Sequence, residues 1–499
     1  MSTIRDINQY AIFKAMGALL LIEGIFILFC LIPSAIYDSE CLNSLRLFDP
    51  KHDFLPLLLC SGLTLIIGSI LFFSTKKLNK NSIGKREGYI IVSLGWLVIT
   101  LFGAVPYMLS GVTVSYTDAF FETMSGFTTT GATIFTYIES IPKGILFWRA
   151  LTHWIGGMGI IVLSLAVLPI LGTGSMQLFD AEVPGVSVDK ITPRIAITAK
   201  HLWGIYVSLT ILCTAFLMAG GMNLYDSLCH AFATLATGGF GTKNDSVASF
   251  SPYIQYVLVL FMFLAGVNFS LYFFALKGKF QRMIKNEELR SYAKLILGVS
   301  IVIALGLILR HGIPVEKAFR DSLFQVVSII TTTGFVSTNY LTWPVYLWLI
   351  IFLLMFTGGC AGSTGGGIKI VRIVLLIKNS KLELKRMIHP QALIPVRLDG
   401  KVISQGVIFN VLAFFLIYII VFALGSLGMT MLGLDFESSI GGVASCLGNI
   451  GPGLGSIGPV LNYGLVPDLG KWLLSLMMML GRLELFTVLI LFTSAFWNK

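Results

Sequence analysis

Four stretches of the chain fall into register without a gap when Gly131, Gly239, Gly334 and Gly451 are aligned: DAFFETMSGFTTTGA, DSLCHAFATLATGGF, DSLFQVVSIITTTGF and SSIGGVASCLGNIGP. Thirteen residues before the shared glycine stand Asp118, Asp226, Asp321 and Ser438. Asp and Ser favour helix N-caps because the side-chain oxygen accepts from an amide that has no partner inside the helix. Each stretch therefore reads as a capped helix of about three turns, at about 3.6 residues per turn, which runs into a Thr/Gly-rich extended turn. Such a helix falls short of the about twenty residues that a bilayer crossing requires. Short re-entrant helices that each stop at glycine are the parts from which an ion filter can be assembled.

The rest of the chain places these helices in a membrane. Of the 499 residues, 56% are hydrophobic and 12% charged, and the mean hydropathy of +0.85 lies far outside the range of soluble domains. The 51 glycines fit close packing between membrane helices or the lining of a cavity. A net charge of +10 does not point to nucleic acid. The cations cluster in short segments between apolar runs: Lys76, Lys77, Lys80, Lys85 and Arg86; Lys277, Lys279, Arg282, Lys285 and Arg290; Lys378, Lys381, Lys385 and Arg386. That distribution marks cytoplasmic loops. The seven cysteines show neither a CxxC pair nor a metal-ligand spacing with His, so most read as small buried hydrophobes, with Cys41 in a predicted external loop.

Apolar runs of spanning length lie at about 10–35 and 54–74, and eight more flank the short helices at about 88–110, 146–172, 196–220, 252–276, 292–310, 343–376, 402–433 and 468–497. The first run has no small-residue cleavage site after it and is expected to be a retained helix. The predicted fold is an all-α membrane protein: an N-terminal transmembrane hairpin (1–87), then four pseudo-symmetric helix, re-entrant pore helix, helix repeats (88–172, 196–276, 291–378 and 400–499) around a central pore. With a cytoplasmic N-terminus, every basic loop falls inside and every short helix enters from outside. The stretch 173–195, with Asp180, Glu182, Pro184, Pro193 and Arg194, is expected to be a connector.

A desolvated alkali cation needs several oxygen ligands on a rigid frame, and backbone carbonyls supply them without a buried charge. Turning successive carbonyls inward calls for positive φ, which glycine adopts freely. The expected ion-lining set is Thr129, Thr130 and Gly131; Thr237, Gly238 and Gly239; Thr332, Thr333 and Gly334; and Asn449, Ile450 and Gly451. The threonines can add hydroxyl oxygens or pin the loops from behind. Segments 128–133 and 331–335 carry the full threonine run, whereas the fourth loop, Asn449-Ile450-Gly451-Pro452, lacks threonine. Such uneven walls predict weaker and less selective ion binding than a strictly fourfold ring.

On these motifs the chain resembles TrkH-type subunits of the TrkH/TrkG/KtrB/HKT superfamily of potassium transporters, over essentially its whole length. The resemblance implies that the four glycines line a potassium filter, with Gly131 in the first loop matching potassium-selective members. It also implies a bacterial cytoplasmic (inner) membrane location, a homodimer with one pore per protomer, and a cytosolic TrkA-type nucleotide-binding ring. The chain itself carries no nucleotide-binding fingerprint. A sodium-selective or sodium-coupled transporter on the same fold is the alternative, and an unrelated membrane enzyme or receptor finds no catalytic constellation to support it.

Two further features stand out. Gly358, Gly359, Gly362, Gly365, Gly366 and Gly367 crowd the middle of an apolar run, where each glycine costs a helix about 1 kcal/mol relative to alanine. The helix should break there, and unwound backbone at membrane depth must be buried in protein or line a cavity. Lys369 is not followed by Ser or Thr, against a phosphate-binding loop. Arg482 lies in the last apolar run, and a charge at membrane depth must be paired or face water; Glu484 points to another side of the helix. The resemblance implies that the glycine run obstructs the pore and moves on gating, and that Arg482 sits just below the filter. Glu122, His230 and Gln325 on the short helices, and His153, are expected to be structural hydrogen-bonding groups.

Overall fold

The computed structural model describes residues 7–37, 48–74, 84–159, 195–389 and 394–497. Cys41, Lys76, Lys77, Lys80, the second half of the run 146–172 and nearly all of the connector 173–195 lie outside the described residues. Among the described residues, six helices are long and apolar enough to cross a membrane: Gln9–Tyr37, Phe54–Ser74, Arg86–Leu109, Lys200–Ala219, Glu287–Arg310 and Gln405–Met431. Their outward faces carry bare apolar side chains such as Ile66, Leu309 and Phe409, as lipid-facing surfaces do.

Between the spanning helices lie the four short ones, Tyr116–Phe127, Leu224–Leu235, Val315–Ile330 and Phe436–Gly448. The order helix, short helix, helix recurs four times along the chain. The expected caps shift. The N-cap residues are Ser115, Asn223, Pro314 and Asp435, and Asp118, Asp226 and Ser438 stand three residues inside their helices. Asn223 accepts from the Asp226 amide at 2.8 Å and Asp435 from the Ser438 amide at 3.0 Å. The residue three places upstream is therefore the cap, while Asp118 and Asp226 add a charge that favours the positive helix end. Asp321 lies deeper still, because the third short helix starts earlier.

Two spans expected to be continuous are bent, and a third breaks where expected. Pro252–Ala265 turns by 92° into Phe269–Leu276, with Gly266 ending the first helix and Asn268 capping the second. Asp468–Arg482 turns by 110° before Phe486, because Glu484 and Leu485 both take left-handed backbone, at φ 55 and 58. Arg482 is thus at a helix end rather than within a continuous span. The third break is the one that the glycine run predicts: helix Val345–Leu354 stops, and helix Ile370–Ile388 begins after an irregular loop.

Two apolar cores flank the short-helix ends. One joins the N-terminal hairpin to the first and fourth short helices through residues such as Phe121, Phe127, Leu447 and Met478. The other joins the second and third through Leu235, Phe261, Phe324 and Ile330. Six described cysteines are buried and unbridged, as expected of small hydrophobes.

In the hairpin, helix Gln9–Phe29 and helix Phe54–Ser74 touch backbone to backbone. A Cβ on Gly17 would come within 2.8 Å of the Gly68 carbonyl oxygen, and one on Gly68 within 3.1 Å of the Gly17 oxygen. Small residues permit this close approach, which dispersion and weak backbone contacts then stabilise in a bilayer. Gly68→Leu should force the pair apart and destabilise the protein by about 1–3 kcal/mol. The check is a lower midpoint of thermal unfolding in detergent, beside an unaffected control such as Gly62→Leu, where a side chain meets open space.

Candidate functional site

All four short helices end in the same backbone motif. The residue two before the shared glycine is left-handed in every loop: Thr129, Thr237, Thr332 and Asn449, at φ 52, 56, 58 and 56. The next amide reaches back five residues, from Thr130 to Ser125 O (2.8 Å), Gly238 to Ala233 O (2.7 Å), Thr333 to Ser328 O (2.8 Å) and Ile450 to Ser445 O (2.9 Å). The left-handed residue bonds three back, to Gly126, Thr234, Ile329 and Cys446. This is the paired-bond helix termination that normally places glycine at the left-handed position. A β-branched residue there is an outlier, and such strain persists only where the surroundings fix it. Sequence reasoning assigned positive φ to the shared glycines, which have it at 80, 82, 82 and 105; the second positive-φ site, on threonine, carries no sequence signal of its own.

The four glycines also stand where a side chain cannot fit. A Cβ on Gly131 would strike the carbonyl oxygen of Gly238, on Gly239 that of Thr333, and on Gly334 that of Ile450; on Gly451 it would lie 2.7 Å from that of Thr130. Loop one thus touches loop two, two touches three, three touches four, and four returns to one. A closed ring results, with four backbone carbonyls, those of Thr130, Gly238, Thr333 and Ile450, at its contacts. Neutral oxygens so gathered can replace part of the hydration shell of a monovalent cation.

The threonine hydroxyls mostly pin the loops. Thr128 Oγ1 donates to Met124 O (2.6 Å) and lies 2.8 Å from Thr130 Oγ1, and Thr331 repeats this with Val327 O and Thr333 Oγ1, both at 2.7 Å. In the fourth loop the Asn449 amide group takes over, donating to Thr130 Oγ1 (3.1 Å) and to Met478 O (2.9 Å).

Nine residues before each shared glycine stand Glu122, His230, Gln325 and Gly442. Glu122 accepts from Thr133 Oγ1 (3.0 Å) and the Ile134 amide (2.9 Å), and pairs with Arg149 Nε at 2.6 Å with both side chains buried. Arg149 also donates to Gly241 O (3.0 Å) and stacks on Phe240. Gln325 reaches Ser337 Oγ and Thr338 O, and His230 Nδ1 lies 2.8 Å from Asp226 O. His153 sits between loops, with Nδ1 2.7 Å from Gly126 O and Nε2 accepting from the Phe240 amide at 3.2 Å. Glu122, Gln325 and His153 thus bond the loops, as expected, whereas His230 bonds within its own helix. Arg149 was missed by the sequence reading, although a lone arginine in the apolar run 144–155 is the signal that flags it.

Beneath the ring lies the glycine run. The Gly366 amide donates to Thr332 Oγ1 at 2.7 Å, and Thr364 Oγ1 to Leu235 O at 2.9 Å, so the run is hung from the third loop and the end of the second short helix. Glu288 holds it from the other side: one carboxylate oxygen accepts from both the Ala361 amide (2.7 Å) and the Val371 amide (3.1 Å). Lys369 Nζ folds back onto Gly365 O. Arg482 donates to Thr364 O (2.7 Å), Gly156 O (2.6 Å) and Gly157 O (2.9 Å), which ties the glycine run to the turn after helix Lys143–Trp154. Glu484 pairs instead with Arg372. The structure therefore brings the twelve loop residues, the six glycines of the run and Arg482 into one layered assembly.

Comparison with known proteins gives consistent matches. The family model described as TrkH, cation transport protein, matches residues 60–499. The chain is 42% identical over 442 residues to the Trk system potassium uptake protein TrkH of Vibrio parahaemolyticus, covering 87% of this chain and 90% of that one. It is 36% identical over 442 residues to the Trk system potassium uptake protein TrkG of Escherichia coli, with 87% and 90% covered. The crystal structure of the potassium transporter TrkH from Vibrio parahaemolyticus aligns with a TM-score of 0.87 at 37% identity, covering 99% of this chain and 100% of that one.

The buried pair Glu122–Arg149 yields a prediction. Arg149→Met leaves the carboxylate without its cation and should destabilise the protein by about 3–5 kcal/mol. The double variant Glu122→Gln/Arg149→Met should recover much of that loss. Thermal unfolding of wild type, the single variants Arg149→Met and Glu122→Gln, and the double variant checks it; additive effects would mean that the pair is not coupled.

Proposed function

The chain belongs to the TrkH family of cation transport proteins, and from that membership we propose that it carries potassium inward through the ring formed by its four glycine loops. It is an ion-transport protein rather than an enzyme, and a multi-pass protein of the bacterial inner membrane. The relatives are named potassium uptake proteins, which supports the choice of ion. The observation that carries the proposal is the closed sequence of contacts in which each shared glycine meets the next loop's carbonyl.

In this reading potassium is the cargo, held by carbonyl oxygens of Thr129, Thr130 and Gly131, Thr237, Gly238 and Gly239, Thr332, Thr333 and Gly334, and Asn449, Ile450 and Gly451. Strained left-handed residues set the carbonyl directions, and the polar groups behind each loop keep the ring from closing on a smaller ion. The glycine run 358–367 blocks the path below, and Arg482 places a fixed positive charge there. Opening requires the run to leave Thr332, Glu288 and Arg482. Regulation falls to a cytosolic TrkA-type nucleotide-binding ring that pulls on the basic inner face of a homodimer, in line with the relatives' naming as parts of a Trk system.

Purified protein in potassium-loaded vesicles should take up rubidium, and external potassium should suppress that uptake far more than sodium does. Equal sodium and potassium fluxes would overturn the selectivity and favour a sodium carrier on the same fold. For the barrier, a unit charge about 7 Å from the ion at an effective dielectric of about 20 is worth about 2 kcal/mol. Arg482→Ala should therefore raise rubidium flux roughly tenfold or more. Unchanged flux would remove the charge from the gate.

A further inference from the structure

We propose that the elbow between the second and third units holds an anionic phospholipid of the inner leaflet, its acyl chain in an apolar cavity and its phosphate among basic side chains. After the 92° bend, helix Phe269–Leu276 leads into helix Phe280–Lys285 and then into the span that begins at Glu287. This segment carries the cations Lys277, Lys279, Arg282, Lys285 and Arg290, which place it on the cytoplasmic side. Among those cations, Leu276 at the end of one helix and Phe280 and Ile284 in the next are 78%, 60% and 69% exposed. Bare apolar residues interleaved with Lys and Arg suit a segment lying in the headgroup layer and not one facing bulk water.

Two cavities adjoin this segment and match the two ends of a phospholipid. The apolar one, of about 1010 Å³, runs between Ile205, Leu209 and Leu212 of the neighbouring span and Tyr272, Phe273 and Phe280, with Lys200 and His201 at its rim. The polar one, of about 690 Å³, is lined by Arg282, Lys285, Arg290 and Lys401, together with Glu287 and Asp399. Both acidic groups already serve the protein. Glu287 accepts from Lys378 Nζ at 2.5 Å, and Asp399 accepts from the Glu287 amide at 2.7 Å and from Asn286 Nδ2 at 3.0 Å. Four cations thus face two carboxylates, one of them already paired with Lys378, so the lining keeps a net positive charge for a phosphate. Basic pockets between membrane helices on the cytoplasmic side bind lipid headgroups in this way.

The position matters because the elbow holds the glycine run. Gly266 O accepts from the Cys360 amide at 2.8 Å, and the Phe269 amide donates to Gly362 O at 3.0 Å. A lipid that fixes helix Phe269–Leu276 fixes those two bonds. This last step rests on the gating role proposed above; lipid retention does not, so the two can fail separately.

The test is native mass spectrometry and thermal unfolding of the full chain in detergent, with phosphatidylglycerol, phosphatidylcholine or inorganic phosphate added. Wild type should retain phosphatidylglycerol and be stabilised by it more than by phosphatidylcholine. Arg282→Gln/Lys285→Gln/Lys401→Gln should lose at least about tenfold of that retention, given the attraction of each cation to anionic lipid. An unchanged unfolding midpoint without lipid would show that this variant is folded. Leu209→Trp, which fills the apolar cavity, should lose lipid with the cations intact. Equal retention of both lipids, or retention of phosphatidylglycerol unchanged in the charge variant, as expected if those cations instead dock a cytosolic protein, would overturn the proposal. So would stabilisation by inorganic phosphate equal to that by phosphatidylglycerol, which would make this a free-anion site.

Discussion

The structure depends on one steric constraint: four backbone turns meet so closely that no side chain fits between a glycine and the next loop's carbonyl. A glycine at such a point offers no packing of its own and loses more conformational freedom on ordering than other residues do. Left-handed threonines in three of the loops add strain. The ring is therefore an unfavourable local arrangement that the rest of the molecule must impose. The buried polar groups do this. Glu122, Arg149, His153, Gln325 and Asn449 each bond the backbone or side chains of a loop from behind, and two apolar cores hold the short helices that deliver the loops.

The same constraint shapes the layer beneath. The loop residue Thr332 uses its hydroxyl to accept from Gly366, so the strained position in the third loop is also the attachment point of the glycine run. Arg482 donates to the backbone carbonyls of Thr364, Gly156 and Gly157, and so joins the run to the turn after helix Lys143–Trp154, while Glu484 pairs with Arg372.

Much of this was legible in the sequence because the constraint acts on residue type. Glycine at 131, 239, 334 and 451 is demanded by space and by φ together, so it shows as a repeat. The break at 358–367 was legible for the same reason. Other features leave no such trace. Left-handed threonine looks like any threonine, and only the bonds from residues 130, 238, 333 and 450 reveal it. The caps of the first, second and fourth short helices lie one turn earlier than the sequence suggests, because Asp118 and Asp226 are good first-turn residues as well as good caps, and that of the third lies two turns earlier, at Pro314. The bends at 266–268 and 483–485 were invisible because the flanking segments remain apolar; tertiary contacts, among them the Gly266–Cys360 bond, accompany the first, and two positive-φ residues form the second.

The inequality of the loops has a mechanical meaning. Loops one and three share the same hydroxyl pairing, and loop two gives up a threonine for Gly238, against which the ring of His153 packs. Loop four departs furthest, yet its Asn449 makes the bond that closes the ring, to Thr130 of loop one, and the same amide group holds Met478 O. Met478 lies one turn before Arg482 on the same helix. The least regular loop is thus in direct contact with the helix that ends at Arg482. A strictly fourfold ring would have no reason to single out one helix. The asymmetry gives a movement of Arg482 a short covalent and hydrogen-bonded route to the ring, through four residues of helix and one side chain.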